Sequence, residues 1–320
     1  MLLQNEMQTR RVSVGRLAPS PSGRLHLGHA RTFALAWAHA RSHAGGLVLR
    51  FDDLDQSRCR PEHVQRILRD LTWLGLDWDG APLYQSQRLE ALREAAARLE
   101  QSGVAYRCIC TRSDLEQAVR APQRGVSELR YPGTCRDRRP GGETPDRSAL
   151  RFRVPPGPLC FVDGLAGPQS CDVSLQVGDF VIESRTRVPS YQLAVVVDDA
   201  AQGVTEVFRG DDLLSSTPRQ ILLLQALGLA EPQWFHIPLV LDAHGRRLAK
   251  RADDLGLETL RDSGVDARAI LGWVGRSAGL NVSERITAAE LRAAYDLTQL
   301  CRDPVSLRES DLVTLLASRA

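Results

Sequence analysis

A strand that turns abruptly into a helix near the N-terminus is the feature that most constrains the fold. The apolar segment 12–17 predicts a buried strand, after which Pro19, Pro21 and Gly23 break the regular backbone. The alanine-rich, amphipathic segment 27–43 then predicts a helix. A helix that starts directly after a strand presents unpaired backbone N–H groups, which suit a phosphate. The unit therefore indicates an α/β fold that binds a phosphorylated ligand.

Two histidines flank a glycine at the start of this helix, in the order His26, Leu27, Gly28 and His29. Gly28 has no Cβ, so a base or a ribose can approach the backbone closely. The histidines are candidates for contacts to phosphate oxygens. A zinc pair or two ordinary surface side chains are the alternatives, although no cysteine or carboxylate lies within the turn to complete a metal site.

The only lysine of the chain, Lys250, lies in a second basic segment. This segment, residues 247–251, follows the apolar run 235–241, which predicts a strand leading into a basic loop. Lysine presents a compact ammonium and arginine a planar guanidinium, so the two meet phosphate differently. A single lysine in an arginine-rich chain favours a phosphate contact for Lys250. Chance is the alternative, since a lone lysine must lie somewhere.

Together these segments resemble the HIGH and KMSKS signatures of class I aminoacyl-tRNA synthetases. Residues 26–29 match the first signature, and residues 247–251 match the second, with Lys250 at its second lysine. Arg247 replaces a more usual lysine, and Ala249 replaces the usual serine. Four further segments resemble the glutamyl/glutaminyl branch of the family: residues 15–23, 49–55, 191–199 and 208–212.

The resemblance implies a doubly wound, Rossmann-like parallel sheet with a site for ATP, Mg²⁺ and L-glutamate. The catalytic residues that it implies are His26, His29, Arg247 and Lys250. The ATP-binding residues that it implies are His26, Gly28, His29 and Lys250. The glutamate-binding residues that it implies are Arg16, Ala18, Pro19, Ser20, Asp52, Tyr191 and Arg209.

The charges of three of these side chains suit glutamate. Arg16 and Arg209 lie at the ends of apolar segments that predict strands, and strand ends are where open α/β sheets bind ligands. Either guanidinium suits the side-chain carboxylate of glutamate. Asp52 suits its ammonium, although the family usually has a glutamate at that position. A surface salt bridge is the alternative for each arginine taken alone.

Three of the seven cysteines lie close together in the sequence, as Cys108, Cys110 and Cys135. In a cytosolic protein such a group favours a metal over a disulfide. Zinc usually takes four ligands. The candidates for the fourth ligand are Cys160, Cys171, Tyr131 or an acidic side chain. The resemblance implies Tyr131 and one structural zinc ion per chain. Three buried thiols beside a core tyrosine are the alternative.

The length of 320 residues predicts more than one structural unit. The expected units are the first half of a nucleotide-binding domain (1–105), an insertion with the zinc site (106–190), the second half of that domain (191–255) and a helical module (256–320). Helices of the module are predicted at 266–278, 288–295 and 309–318. The roughly 70 residues after the basic segment are too few for an anticodon-binding region of ordinary size.

A glutamyl-type core with such a short tail resembles the glutamyl-queuosine enzymes, which activate glutamate and transfer it to the queuosine base of tRNA(Asp). The resemblance implies a ligase whose RNA partner is tRNA(Asp) carrying queuosine. Two alternatives stay open, a shortened glutamyl-tRNA synthetase that charges the tRNA 3′ end and a non-catalytic RNA-binding paralogue. The paralogue would be expected to have damaged ATP motifs, whereas His26, Gly28, His29 and Lys250 are all present.

The overall charge and the N-terminus indicate a cytoplasmic enzyme. A formal net charge of +2 produces no strong field for nucleic acid, so RNA contacts are expected from local arginine patches. Residues 1–11 lack the apolar centre of a signal peptide. No apolar run approaches the length of a membrane span. We therefore expect a monomer without membrane contact.

Overall fold

The computed structural model describes residues 13–111, 113–114, 130–137, 147–242, 245–246, 248 and 256–318. The described chain begins with strand β1 (Val14–Leu17), helix α1 (Leu27–Ser42) and strand β2 (Gly46–Phe51). The predicted strand, turn and helix are confirmed. The first residue of the predicted strand, Val12, lies outside the described residues.

A tight turn after α1 returns the chain to the sheet. Ala44 adopts a left-handed φ of 54°, and a Cβ on Gly45 would lie 2.8 Å from the Ser13 carbonyl oxygen. Glycine permits this close approach because it has no Cβ. The turn lets β2 pair in parallel with β1, and β3 (Leu83–Tyr84) pairs in parallel with β2.

Four more strands form a second sheet, in the order β7–β6–β10–β9. They are β6 (Leu159–Asp163), β7 (Gly167–Cys171), β9 (Glu206–Gly210) and β10 (Gln233–Ile237). Strand β10 is parallel to β9 and β6, whereas β7 is antiparallel to β6. Strand β9 lies beside β1, because the Thr205 N–H donates to the Val14 carbonyl oxygen at 2.9 Å. The parallel strands therefore run in the order β3–β2–β1–β9–β10–β6.

Helices cover both faces of these strands. Leu47 and Leu49 of β2 pack in one core with α1 and α2 (Pro61–Trp73), whereas Val48 between them faces the opposite core. The opposite core contains residues of α3 (Leu89–Gln101), α4 (Val173–Gln176), α5 (Tyr191–Ala201) and α6 (Thr217–Leu227). Strand side chains alternate between the two faces. This mixed α/β arrangement with parallel strands fits the expected Rossmann-like core.

The segment expected to form an insertion, residues 106–190, contributes to two sheets. Strands β4 (Ala105–Cys108), β5 (Ala149–Phe152) and β8 (Val181–Glu183) form an antiparallel sheet in the order β4–β5–β8. The β6–β7 hairpin instead extends the parallel sheet, where Asp163 of β6 pairs with Trp234 of β10. The hairpin therefore brings the end of β6 to the core. The expected boundaries of the units stay a prediction.

The C-terminal helices lie close to their predicted positions. They are α7 (Leu257–Asp262), α8 (Ala267–Ser277), α9 (Ala288–Ala294) and α10 (Glu309–Ala317). Short 3-10 helices occur at Gln85–Arg88, Asp211–Ser216 and Leu297–Gln299. None of the helices in the described part of the chain has both the length and the apolar character needed to cross a bilayer.

The single strand predicted over 235–241 is wrong. Strand β10 ends at Ile237, and Pro238 interrupts the segment because proline has no backbone N–H for pairing. The next strand, β11 (Val240–Leu241), pairs instead with β12 (Val305–Ser306) from the C-terminal region. The strand predicted to end before Arg209 is likewise shifted, because Arg209 lies within β9.

Candidate active site

A cavity of about 400 Å³ opens at the carboxyl ends of the parallel strands. It lies where β1 meets β9, the point at which the strand order reverses direction along the chain. Such a reversal point is where open α/β sheets bind ligands. The cavity brings together every described residue that was predicted for glutamate or ATP: Arg16, Ala18, Pro19, Ser20, His26, Gly28, His29, Asp52, Tyr191 and Arg209.

Helix α1 begins at this cavity, and its two histidines close its first turn. The Gly28 N–H donates to His26 Nδ1 at 3.2 Å, and the His26 N–H donates to His29 Nδ1 at 3.2 Å. A Cβ on residue 28 would lie 3.0 Å from His26 Cε1, so glycine leaves room for this arrangement. The first turn contains no acidic side chain to offset the positive potential of the helix start. The histidines thus shape a helix start that suits an anion.

The basic segment predicted to bind phosphate falls largely outside the described residues. Arg247, Ala249 and Lys250 all lie outside them. Leu248 is described, lines the cavity and is buried, and its N–H donates to the Val240 carbonyl oxygen at 3.1 Å. The one described residue of the segment therefore borders the cavity, and the roles of Arg247 and Lys250 stay predictions.

Arg209 contributes a buried cation to the cavity. Its Nε donates to His236 Nε2 at 2.9 Å, and its Nη2 donates to Thr217 Oγ1 at 2.9 Å. Its Nη1 is buried and has no hydrogen-bond partner among the described residues. Burial lowers the pKa of Arg209 to about 10, so the side chain stays charged near neutral pH. A buried charge without a paired opposite charge is costly, which makes Arg209 a candidate site for an anion.

Arg16, the other arginine predicted to bind a carboxylate, already has an acidic neighbour. Its Nη1 donates to the Phe208 carbonyl oxygen at 3.1 Å, and its Nε lies 3.6 Å from Asp199 Oδ2. Arg50 forms an ion pair with Asp199 and donates through Nε to Asp52 Oδ1 at 2.7 Å. Burial would raise the pKa of Asp199, but Arg50 and Arg16 hold it below its usual value. The positive charges of Arg16 and Arg50 therefore offset the negative charges of the two aspartates.

Asp52 and Tyr191 also line the cavity. Asp52 follows the last residue of β2, and its N–H donates to the Pro19 carbonyl oxygen at 3.1 Å. Burial raises the pKa of Asp52 despite the adjacent Arg50. Tyr191 is the first residue of α5 and is 36% exposed. Ala18, Pro19 and Ser20 complete the predicted glutamate-binding residues in the lining.

Two buried residues that hold Arg209 were not identified from the sequence. His236 of β10 and Asp163 at the end of β6 lie 2.5 Å apart, measured from Nδ1 to Oδ2. Asp163 Oδ1 also accepts from the N–H groups of Leu165 and Ala166, at 2.9 and 2.8 Å. A histidine inside an apolar strand was the only local signal. Its partner lies 73 residues away in the sequence.

A second candidate site is the cysteine–tyrosine cluster, formed by Cys108, Cys110, Tyr131 and Cys135. The three Sγ atoms lie within 4.8 Å of one another. Tyr131 Oη lies 3.4 Å from Cys108 Sγ and 3.8 Å from Cys110 Sγ. Bonds of about 2.3 Å in a zinc tetrahedron place two sulfurs roughly 3.8 Å apart, and the Cys110 and Cys135 sulfurs are 3.6 Å apart. The donor atoms fit a tetrahedral zinc ion.

The two other cysteines that were candidates for the fourth ligand lie elsewhere. Cys160 and Cys171 are on the β6–β7 hairpin, and the thiol of Cys160 lies 3.6 Å from Ser170 Oγ. Tyr131 is buried in the cluster, and the Cys135 N–H donates to its Oη at 2.8 Å. Among the three candidates named by residue, Tyr131 is therefore the one beside the three cysteines, and no described carboxylate joins the cluster.

Comparisons with known proteins agree with this fold and this cavity. Residues 12–312 match the family of class I tRNA synthetases for glutamate and glutamine, catalytic domain. The chain is 43% identical to a glutamyl-Q tRNA(Asp) synthetase from Symbiobacterium thermophilum, over 96% of this chain and 99% of that one. It is 38% identical to glutamate–tRNA ligase 2 from Halorhodospira halophila, over 93% of this chain and 64% of that one.

A solved structure is similar in fold. It is a glutamate tRNA ligase from Elizabethkingia meningosepticum in complex with its amino acid, with a TM-score of 0.80 and 24% identity. The similarity covers 94% of this chain and 68% of the ligase.

The chain has a parallel sheet with a cavity at the carboxyl ends of its strands, and the family match extends over residues 12–312. These findings define a class I tRNA synthetase catalytic domain of the glutamate and glutamine type. This chain is 43% identical to the glutamyl-Q tRNA(Asp) synthetase and 38% identical to the glutamate–tRNA ligase named above. The chain belongs to the glutamyl-Q tRNA(Asp) synthetase family within that class.

Proposed function

We propose that this protein is a ligase that activates L-glutamate with ATP and transfers the glutamyl group to the queuosine base of tRNA(Asp). The observation that carries the proposal is Arg209, a buried cation without a carboxylate partner among the described residues, in the same cavity as the start of α1. Arg209 thus offers a positive charge to an anionic amino acid, and the start of α1 offers a positive potential to a phosphate in the same cavity. The acceptor is supported by the 43% identity to a glutamyl-Q tRNA(Asp) synthetase.

In the proposed complex, glutamate lies between Arg209 and Asp52. The side-chain carboxylate accepts a hydrogen bond from Nη1 of Arg209, the donor that has no described partner. Arg16 supplies a second positive charge near the carboxylate. The ammonium meets Asp52, whose charge is partly satisfied by Arg50. Tyr191, Ala18, Pro19 and Ser20 form the remaining contacts. Asp52 is one methylene shorter than the glutamate usual in the family, so we expect a longer contact to the ammonium.

ATP occupies the other end of the cavity in this proposal. His26 and His29 contact phosphate oxygens at the helix start, and Gly28 allows close approach of the nucleotide. Lys250 and Arg247 meet the β- and γ-phosphates from the basic segment. Mg²⁺, which class I synthetases use with ATP, neutralises phosphate charge when bound. The protein contributes mainly position and electrostatic stabilisation, since the reaction needs no protein nucleophile.

The proposed reaction has two steps. An oxygen of the glutamate α-carboxylate attacks the α-phosphorus of ATP, and the bond to the pyrophosphate oxygen breaks. A hydroxyl of the queuosine base then attacks the carbonyl carbon of the adenylate. An ester forms, the bond from the carbonyl carbon to the phosphate oxygen breaks, AMP leaves and the hydroxyl proton is released. The buried cation at Arg209 selects an amino acid with a second carboxylate over uncharged ones.

We also propose that the cysteine–tyrosine cluster binds one structural zinc ion. Its four donor atoms converge, and the segment that carries Tyr131 is held by a hydrogen bond from its N–H to the Val177 carbonyl oxygen at 2.9 Å. A zinc ion would cross-link the segment that carries Cys108 and Cys110 to the segment that carries Tyr131 and Cys135. We further propose that the protein is a monomer and acts in the cytoplasm. Its structural units are proposed to have the boundaries that were expected from the sequence.

Transfer of radiolabelled glutamate to two forms of tRNA(Asp) tests the function. One form carries queuosine and the other is an unmodified transcript of the same sequence. We expect ATP-dependent labelling of the first form and none of the second. Equal labelling of both forms would instead indicate charging of the 3′ end. The absence of labelling and of AMP release with both forms would indicate a non-catalytic RNA-binding protein.

A further inference from the structure

A chain of buried hydrogen bonds leads from the β6–β7 hairpin to the glutamate cavity through Asp163, His236 and Arg209. The side chains of Asp163 and His236 are fully buried, and Arg209 is 4% exposed. Arg209 lines the cavity, whereas the other two residues do not. Asp163 and His236 therefore do not contact a ligand in the cavity directly, and Arg209 is the cavity residue to which His236 is bonded.

The chemistry of the three groups fixes where the proton of His236 lies. A guanidinium can only donate, so His236 Nε2 accepts from Arg209 Nε and carries no proton. The ring proton is then on Nδ1, which donates to Asp163 Oδ2 at 2.5 Å. Burial lowers the pKa of His236, in agreement with a neutral ring. One tautomer of the neutral imidazole thus satisfies Asp163 and Arg209, and its unprotonated Nε2 also accepts from the Thr217 hydroxyl at 3.2 Å.

Asp163 is held by backbone groups that leave it one orientation. Its Oδ1 accepts from the N–H groups of Leu165, Ala166 and His236, at 2.9, 2.8 and 3.2 Å. The turn that carries it packs directly onto β10, because a Cβ on Gly164 would lie 2.3 Å from Phe235 Cε1. The hairpin therefore places Asp163 Oδ2 within hydrogen-bond distance of the His236 ring.

Arg209 depends on this arrangement for the direction of its remaining donor. With Nε bonded to His236 and Nη2 bonded to Thr217, the plane of the guanidinium is fixed, and Nη1 is the donor left without a partner. We propose that His236, oriented by Asp163, is a positioning residue that holds Arg209 ready for the carboxylate of the amino acid substrate. The proposal rests on the proposed function in taking glutamate as the ligand.

Replacement of Asp163 by asparagine tests the proposal sharply. The three backbone donors at Oδ1 keep the asparagine carbonyl in place, so its amide N–H₂ faces His236 Nδ1. The ring must then carry its proton on Nε2, where it meets the Arg209 Nε–H. We expect Asp163→Asn to weaken glutamate binding, measured by calorimetry, by about tenfold or more, as for other losses of an orienting partner. The KM for ATP should stay within about twofold.

A matched control is available in the same core. His39 Nε2 lies 3.2 Å from Glu206 Oε2, and this pair of a buried histidine and a partly buried glutamate does not line the cavity. Glu206→Gln should leave glutamate binding unchanged. Thermal melting of both variants reports any loss of folding. If Asp163→Asn and Glu206→Gln weaken glutamate binding equally, the effect is a general loss of core stability and the proposal is wrong.

A double-mutant cycle separates positioning from a merely structural role. In an Arg209→Gln background, Asp163→Asn should have no further effect on glutamate binding, since the group through which it acts is gone. His236→Gln, whose side-chain oxygen can still accept from Arg209 Nε, should bind glutamate more tightly than His236→Leu. An equal loss in both Arg209 backgrounds would overturn the proposal, as would wild-type affinity in Asp163→Asn.

Failure of the proposed function gives a different result. If the wild-type protein does not bind glutamate, the function itself is wrong, whatever the variants show. If the wild-type protein binds glutamate and Asp163→Asn binds it equally well, only the positioning role is wrong.

Discussion

Replacement of Arg209 by glutamine should remove most of the affinity for glutamate. Arg209 is the cavity cation whose described partners are neutral, a histidine, a threonine and a carbonyl, and its Nη1 has no described partner. Loss of a buried, charge-assisted contact to a carboxylate costs about 2–4 kcal/mol. By the relation of ~1.4 kcal/mol per tenfold, the KM for glutamate should rise roughly 30- to 700-fold. Pyrophosphate exchange, measured with tRNA(Asp) present, gives this KM and the KM for ATP, which should change little.

Two further variants make the Arg209 result interpretable. Arg16→Gln should also raise the KM for glutamate, but by less, because Arg16 is balanced by Asp199 and its removal leaves that carboxylate with Arg50. Arg151 is buried to a similar degree, 6% against 4% exposed, and does not line the cavity. Arg151→Gln should therefore leave both KM values unchanged. Equal losses for ATP and glutamate in Arg209→Gln would refute the assignment of this pocket to the carboxylate.

Three further predictions concern the metal, the lysine and the helix start. Elemental analysis of protein purified without chelator should find one zinc per chain, and Tyr131→Phe should release it to a chelator more readily; wild-type protein without zinc would contradict the site. Lys250→Arg should slow pyrophosphate exchange about tenfold or more while glutamate binding is unchanged, so a wild-type rate would remove its phosphate role. Gly28→Ala should raise the KM for ATP, because the new Cβ would lie 3.0 Å from His26 Cε1; an unchanged KM would contradict the placement of ATP there.

The parts of the fold that depend on residues close together in the sequence were predictable. The turn at Pro19 and Gly23 separates a strand from a helix, and both elements have local apolar periodicity, so β1 and α1 appear within a few residues of their predicted positions. Pro238 was also a local signal. Its missing N–H divides the segment predicted as one strand into β10 and β11, which pair with different partners.

The support of the cavity depends on contacts between distant segments, which the sequence does not display. Arg50 and Asp199 lie 149 residues apart and meet only because β2 and α5 are brought together. Asp163 belongs to a hairpin that the sequence assigned to the insertion, yet its strand pairs with β10 and brings it to His236. Charged or polar residues within apolar segments indicate buried polar contacts. They do not show which distant residue is the partner in each contact.

The position of glutamate on the RNA tests the central claim most directly. The substrate is tRNA(Asp) that carries queuosine but lacks its 3′-terminal adenosine, incubated with labelled glutamate and ATP and then cut with a guanosine-specific nuclease. The account predicts full labelling, confined to the anticodon-loop fragment that contains queuosine. Loss of labelling when the terminal adenosine is removed would place glutamate on the 3′ end and contradict the account.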